Sequence, residues 1–134
     1  MHKKPQKSRS KPYFCFDENL QFIELNKKCN KYARFESFVK LMKQQGAKDE
    51  QAIKECNKAD KHIITHNTKD FKQPASNIKV GIICVGLNSE EDWIPKLIKV
   101  FKVLPKHENY YYKTIFIANA ITIKDRETDD IRVL

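Results

Sequence analysis

Apolar residues along this chain occur in two alternating patterns: short continuous or period-two runs, and stretches spaced three or four residues apart. Continuous runs of about four to eight apolar residues are typical of strands buried on both faces of a sheet, and a period of two is typical of half-buried strands. The first pattern predicts strands at Tyr13–Phe16, 33–41, His62–Thr65 and 78–85, and a closing β-hairpin in which 114–117 and 120–123 flank Ala118 and Asn119.

The second pattern, with apolar residues at helical spacing, predicts three helices between these strands. They run from Leu20 towards Cys29, over Asp49–Lys58, and from Ser89 to the residue before Pro105. Ser89 and Asp92 have the spacing of a capping box, and Trp93 is expected to lie in the core. Strands that alternate with helices predict an α/β fold of three layers, α/β/α, with a mainly parallel, doubly wound sheet and a C-terminal β-hairpin.

The length of 134 residues is that of one domain, and we expect residues 13–134 to fold as a single unit. The first twelve residues contain Pro5 and Pro12, no acidic residue and almost no apolar content, so we expect a disordered basic arm. The arm could attract phosphate groups or act only as a solubilising tail. Its basic residues are Lys3, Lys4, Lys7, Arg9 and Lys11.

The charge balance bounds the class of protein. The chain carries 26 basic and 17 acidic residues, a net charge of +9, which favours a polyanionic partner. With 3 glycines, it contains neither a Walker loop nor a dinucleotide-binding fingerprint. No apolar run is long enough to span a membrane, and the basic arm leads into no apolar segment of a secretory signal. We therefore expect a cytoplasmic protein without a membrane partner.

The four cysteines, Cys15, Cys29, Cys56 and Cys84, lie far apart and form no C-x-x-C pair. Zinc sites usually take their ligands in close pairs, and disulfide scaffolds belong to small secreted chains. We therefore expect four buried structural thiols.

Acidic residues follow two predicted strands and open one predicted helix. Asp17 and Glu18 come directly after the first strand, Asp49 and Glu50 begin a helix, and Asp70 lies five residues past the third strand. In open α/β sheets, ligands bind beyond the carboxyl ends of the strands, and helix starts lie at the same edge. Each acid alone could be a helix cap or a turn residue, but together such carboxylates suit Mg²⁺ or Mn²⁺. In a basic protein, this combination is typical of metal-dependent phosphodiester chemistry.

Three segments of the chain carry motifs in a fixed order. They read F-D-E-N-L over 16–20, G-A-K-D-E-Q-A-I over 46–53 and A-D-K-H-I-I-T-H-N-T-K-D-F over 59–71. These segments resemble the PIN-like family, in particular short bacterial and archaeal proteins with F-D-E-N-L, G-A-x-D-E-E-I and I-V-T-x-D-x-D-F. The third segment is also similar to the T-x-N-x-x-D-F form of VapC-type toxins. The resemblance extends from Tyr13 to the hairpin at Ile123.

The resemblance implies a magnesium-dependent endoribonuclease that cleaves single-stranded RNA and acts as the toxin of a toxin–antitoxin pair. Its partners would then be RNA, a cognate antitoxin protein and a second copy of the chain in a homodimer. Carried over residue by residue, the catalytic and metal-binding acids are Asp17, Asp49 and Asp70, with Glu50 as the alternative to Asp49.

Other residues of the motifs have supporting roles in this interpretation. Asn19 would orient the first loop, and Thr65 or Asn67 would support the last. Lys69 and Lys72, which flank Asp70, could contact the RNA backbone together with the basic arm, although surface lysines are equally explained by solvation.

Asn67 stands where relatives with T-x-D-x-D-F have an acid, which leaves three strong carboxylates rather than four. This difference favours, as an alternative, a degenerate PIN-like module that binds RNA or a protein partner without catalysis. A receiver-like phosphoacceptor domain is a weaker alternative, because Asp70 lies well past the third strand and no Thr or Ser ends the fourth. His66 is either a solvated loop residue or a group that approaches the leaving oxygen.

Overall fold

The fold comes from a computed structural model, which describes residues 11–16, 22–37, 49–66 and 74–134. No helix within these ranges is both long enough and apolar enough to cross a membrane. The elements in chain order are β1 (Tyr13–Phe16), α1 (Phe22–Cys29), β2 (Arg34–Ser37), α2 (Asp49–Lys58), β3 (His62–Thr65), β4 (Ile82–Val85), α3 (Glu90–Val103), a short 3₁₀ helix (His107–Tyr110), β5 (Lys113–Ile117), β6 (Ile121–Asp125) and β7 (Ile131–Val133).

The seven strands form one sheet in the order β2-β1-β3-β4-β5-β6-β7. The first five strands in this order run parallel to one another. β6 pairs antiparallel with β5 on one side and with β7 on the other. The protein is therefore mixed α/β with a mostly parallel sheet, in agreement with the alternation in the sequence. β7 forms an edge strand that the apolar pattern does not indicate, because its side chains Ile131 and Val133 are exposed.

Successive strand residues point to opposite faces of the sheet, and both faces are covered by helices. One core contains Phe14, Phe16, Ile64, Ile83, Val85, Ile115 and Ile117 of the strands with Leu25 and Cys29 of α1 and Trp93, Leu97 and Phe101 of α3. The other contains Cys15, Ile63, Ile82 and Cys84 of the strands with Ile53 and Cys56 of α2. The strands are thus buried on both sides, which is why they read as continuous apolar runs.

The four cysteines are free and buried, as the sequence predicts. Burial raises the pKa of Cys29 to about 11. A hydrogen bond with Cys15, together with burial, also raises the pKa of Cys56. Because a thiolate is the reactive form of cysteine, Cys29 and Cys56 act as structural thiols.

The sequence pattern predicts the bounds of β1, α2 and β3 correctly. The predicted second strand is present as β2, and residues 38–41 of that prediction lie outside the described ranges. Trp93 is fully buried, as expected. The predicted capping box is wrong, because Ser89 is the N-cap of α3 but its side chain makes no capping hydrogen bond. Three acidic side chains in the first turn stabilise this helix end through its dipole instead.

The predicted strand over 78–85 is also wrong in its first half, since β4 begins only at Ile82. The amide groups of Lys79 and Val80 donate to the side-chain oxygen of Asn57 at 2.8 and 3.2 Å. The guanidinium of Arg126 donates to the carbonyls of Ile78 and Val80 at 3.0 and 2.8 Å. Side chains from α2 and the turn after β6 therefore satisfy the backbone here, in place of a strand ladder.

Candidate functional site

The carboxyl ends of β1 and β3 lie side by side at one edge of the sheet, which we call the carboxyl edge. The two strands are parallel neighbours, and Phe16 pairs in register with Ile64. After β1 the chain continues to α1 on one face, and after β3 it returns through Ile78 and Val80 on the other face. A crevice forms where connections leave neighbouring strands towards opposite faces, and such crevices bind ligands in open α/β sheets.

The start of α2 lies towards this same edge. At its other end, α2 stops at Lys58, only a few residues before β3 begins at His62, and the amide of Lys61 donates to the carbonyl of Cys56 at 2.9 Å. A helix of 10 residues is about 15 Å long, which is close to the length of the strands beneath it. Asp49 and Glu50 therefore lie near the carboxyl edge, and the Glu50 side chain is exposed.

Most of the residues predicted to form the site fall outside the described ranges. These are Asp17, Asn19, Asn67, Lys69, Asp70 and Lys72, together with Lys3, Lys4, Lys7 and Arg9 of the arm. The backbone of Asp49 begins α2, but its side chain is likewise not described. Their meeting at one metal centre stays a prediction.

Thr65 and His66 are the motif residues that the structure describes at the end of β3. Thr65 is fully buried as the last residue of the strand, a position from which it can support the loop that follows. His66 is half-buried, with its Nδ1 atom 3.1 Å from the carbonyl oxygen of Val85 and its ring edge-on to Trp93 at 5.6 Å. Because a carbonyl can only accept, Nδ1 carries the hydrogen, and Nε2 is the ring atom with the free lone pair. His66 is thus held by β4 and α3 rather than being fully solvated.

Polar atoms of α3 also lie at the carboxyl edge, since this helix begins shortly after β4 ends. Its first turn contains Glu90, Glu91 and Asp92. The Oε2 atom of Glu90 and the Nε1 atom of Trp93 are buried without a hydrogen-bond partner among the described residues. The corresponding signal in the sequence is the run of three acids after the fourth strand. By itself, this run predicts only the start of a helix.

Within the described residues, no group of three or more His, Cys, Asp or Glu side chains is arranged to hold a metal ion. The acids predicted as Mg²⁺ or Mn²⁺ ligands are those whose side chains the structure does not describe, apart from Glu50. Glu50 and the first turn of α3 contribute described carboxylates near this edge, on helices that pack on opposite faces of the sheet.

A second polar cluster, which the sequence did not indicate, lies at the opposite edge of the sheet, the amino edge. The imidazole rings of His62 and His107 are 4.0 Å apart, and the Nε2 atom of His62 donates to the carbonyl of His107 at 2.8 Å. His107 accepts the amide hydrogen of Tyr13 on Nδ1 and donates from Nε2 to Asp60 at 3.3 Å. Asp60 also accepts the hydroxyl of Tyr111 at 2.8 Å. Burial and this hydrogen bond raise the pKa of Tyr111 to about 12.

Tyr13 is the centre of a group of charges at the amino edge. The guanidinium of Arg34 and the ammonium of Lys61 each lie 4.6 Å from the centroid of its ring. Glu36 accepts hydrogen bonds from Lys61 and from the hydroxyl of Tyr13. Burial raises the pKa of Tyr13, and the hydrogen bond to Glu36 raises it further, so the hydroxyl stays protonated. No motif links these residues, because they come from β1, from β2 and from the loop before β3.

A cavity of about 460 Å³ also opens at the amino edge and is lined in part by Ala75, Tyr112, Arg126 and Asp129. The guanidinium of Arg126 donates to four oxygens, of Ile78, Val80, Lys113 and Thr114, and burial lowers its pKa to about 10. The donors on both terminal nitrogens of Arg126 are therefore used within the protein.

The two edges of the sheet thus differ in chemistry. The carboxyl edge has exposed carboxylates and an oriented histidine. The amino edge has cations held against tyrosine rings.

No protein-family model, no curated protein and no solved structure matches the chain.

Proposed function

We propose that the protein is a PIN-like, Mg²⁺-dependent endoribonuclease that cleaves single-stranded RNA and acts as the toxin of a toxin–antitoxin pair. The observation that carries this proposal is the adjacency of β1 and β3 at a switch point of the sheet. Asp17 is bonded to the last residue of β1, and Asp70 lies five residues past the last residue of β3. This topology supports a shared site for two acids that are far apart in the sequence.

The proposed metal ligands are Asp17, Asp70 and either Asp49 or Glu50 at the start of α2. Bound there, Mg²⁺ would supply a Lewis acid that activates water and neutralises the charge developing on the scissile phosphate. Asp17 and Asp70 would hold the metal ion in place with their carboxylates. His66, with Nδ1–H on the Val85 carbonyl, has Nε2 available to give a proton to the leaving oxygen or to take one from water.

The charge of the chain supports a polyanionic substrate. At +9, the protein attracts RNA at long range, whereas a carboxylate site without a cation would repel it. A divalent cation at the carboxyl edge resolves this opposition. Lys69, Lys72 and the basic arm are proposed to add contacts with the RNA backbone.

A second candidate function is a degenerate module that binds RNA without cleaving it. The amino edge favours this alternative, because its cation–tyrosine pairs could bind phosphates without any metal.

The order of the parallel strands is that of receiver-like domains. However, His66 directly follows β3 and β4 ends in Cys84 and Val85, so a phosphoacceptor site has no support from these positions.

The test is cleavage of a single-stranded RNA by the purified full chain in Mg²⁺ and in EDTA. We expect cleavage only in Mg²⁺, a loss of orders of magnitude in Asp17→Asn and Asp70→Asn, and an unchanged rate in the control Asp129→Asn, whose side chain is exposed at the amino edge. Asn retains the capping ability of Asp, so Asp17→Asn separates a ligand from a helix cap. Wild-type protein that binds RNA but does not cleave it in Mg²⁺ would favour the degenerate module.

The toxin role is tested in growing bacteria. Expression of the wild-type chain without its antitoxin should arrest growth, whereas expression of Asp17→Asn at the same level should not. Arrest by both proteins would show that toxicity does not depend on the proposed metal site.

A further inference from the structure

The amino edge of the sheet collects cations from several parts of the chain, because residues that precede parallel strands meet there. Arg34 begins β2 and pairs in register with Tyr13 of β1, and Lys61 directly precedes β3. Lys79 lies near the start of β4, where its carbonyl accepts the amide hydrogen of Tyr112 at 2.7 Å. Basic residues described at this edge are Lys11, Lys31, Arg34, Lys58, Lys61, Lys79, Lys106, Lys113, Lys124 and Arg126, against the acids Glu36, Asp60, Glu108, Asp125, Glu127, Asp129 and Asp130.

Tyrosine rings hold three of these cations without cancelling their charge. Arg34 lies over Tyr13 at 4.6 Å, Lys79 over Tyr111 at 4.2 Å and Lys31 over Tyr32 at 5.2 Å. A ring contact restricts the side chain but leaves its full positive charge. None of the three forms an ion pair with a carboxylate of the described residues. All three side chains are exposed, so phosphate groups can reach them.

The tyrosines are themselves fixed by the core. Tyr13 donates its amide hydrogen to His107, and Tyr111 donates its hydroxyl to Asp60. Tyr32 packs on Phe101 of α3 with ring centroids 6.2 Å apart. The cations are therefore positioned on a rigid edge, which lowers the entropy lost when they bind a ligand.

The two edges of the sheet also differ in the charge of their described residues. The basic arm precedes β1 and so is attached at the amino edge, next to Lys11. The carboxyl edge, in contrast, carries Glu50 and the acidic first turn of α3. Among the described residues, the excess of positive charge therefore lies at the amino edge, where it favours a polyanion.

We infer that the amino edge is a second RNA-binding surface, in which Arg34, Lys79 and Lys31 bind phosphates of a single-stranded RNA while another part of the same strand occupies the carboxyl edge. The identity of the polyanion as RNA rests on the proposed function, whereas the position of the surface rests on the cation–tyrosine pairs. Binding at this surface requires no metal ion.

The experiment measures binding of a fluorescently labelled single-stranded RNA by the full chain in EDTA, over a range of salt concentrations. The test variant is Arg34→Gln with Lys79→Gln, and the matched control is Lys54→Gln with Lys99→Gln, which removes the same charge from exposed mid-helix positions of α2 and α3. Each phosphate contact contributes about 0.7 to the slope of log affinity against log salt for single strands. The test variant should make the slope of log affinity against log salt flatter by roughly 1.4, and the control should leave that slope nearly unchanged.

Equal slopes in the two double variants would overturn the inference, because net charge alone would then explain binding. Equal wild-type affinity for a DNA duplex of the same length would also overturn the assignment to single-stranded RNA. Thermal melting checks that both variants fold.

Cleavage in Mg²⁺ separates this inference from the proposed function. The test variant should raise KM and leave kcat unchanged, since it does not touch the carboxyl edge. Wild-type protein that shows the expected binding slopes but never cleaves RNA retains the amino-edge surface and loses the nuclease proposal. Cleavage with wild-type slopes in the test variant retains the nuclease and removes the surface.

Discussion

The Nδ1 atom of His62 accepts the amide hydrogen of Gly81 at 2.8 Å and thereby joins the start of β3 to the start of β4. The other ring nitrogen donates to the carbonyl of His107. The neutral ring with hydrogen on Nε2 is the form that keeps both bonds, and the ring is fully buried. Protonation of His62 in the folded protein would therefore break the link to Gly81.

This arrangement predicts a loss of stability in mild acid. Burial, and to a smaller extent the nearby His107, lowers the pKa of His62 to about 3. A histidine in the unfolded chain has a pKa of about 6.5. Below about pH 6.5 the unfolded chain binds a proton that the folded chain does not, so the free energy of unfolding falls as the pH decreases towards about 3. Above that window, the contribution of His62 is constant.

Urea unfolding at about pH 7.5 and pH 5.5 measures this effect. Wild-type protein should lose about 1 kcal/mol more between these two values than His62→Asn, which cannot titrate. The comparison between the two proteins removes the contribution of every other titrating group. The same loss in both would mean that His62 is not the source of the acid sensitivity.

Gly81 should tolerate no side chain. A Cβ at this position would lie 2.3 Å from the carbonyl oxygen and 2.9 Å from the Cβ of Tyr110, which is itself buried against Phe14 and His62. Because the clash is with backbone that cannot move aside, Gly81→Ala should lower the free energy of unfolding by about 2–4 kcal/mol. The matched control is Gly86→Ala, whose Cβ would meet the carbonyl oxygen of Ile117 at 3.3 Å, so about 1 kcal/mol or less is expected. A similar loss in both variants, measured by urea unfolding, would contradict the proposed clash.

Asn67→Asp should strengthen metal binding. The substitution places an acid where the PIN-like proteins that the third motif resembles have one, and each added carboxylate raises the affinity of an oxygen site for Mg²⁺. The midpoint of Mg²⁺-dependent thermal stabilisation should move to a several-fold lower concentration. Asn77→Asp adds the same charge at an exposed position before β4 and should leave the midpoint in place. An unchanged midpoint in Asn67→Asp would mean that the chain has no metal pocket at this position.

Deletion of residues 1–11 should weaken RNA binding without changing which RNA is preferred. The deletion removes five positive charges and retains Pro12, whose carbonyl accepts the amide hydrogen of Arg34 at 2.8 Å. If all five charges meet phosphates, the slope of log affinity against log salt should flatten by roughly 3.5. A slope equal to that of the full chain would show that the arm is only a solubilising tail.

Consecutive residues were sufficient to predict β1, α2 and β3, because each has its own periodicity and its own stop signal. Burial of the four thiols was also predicted correctly, from the spacing of the cysteines along the chain. For the candidate site, the sequence named the acids after β1 and β3 and at the start of α2. It did not establish that β1 and β3 are neighbours, since strand order depends on packing over the whole sheet.

Contacts between distant residues determined the rest. Residues 78–80 have the composition of a strand, yet Asn57 and Arg126 bond their backbone groups and β4 starts later. His62, Tyr13 and their neighbours form a cluster that no motif announces, because its members are up to 94 residues apart in the chain. Local patterns reflect which face of a helix or strand is apolar, a property of adjacent residues. Hydrogen bonds between side chains and distant backbone form only once the chain has closed its loops around a common core, and this closure brought the cations and tyrosines of the amino edge together.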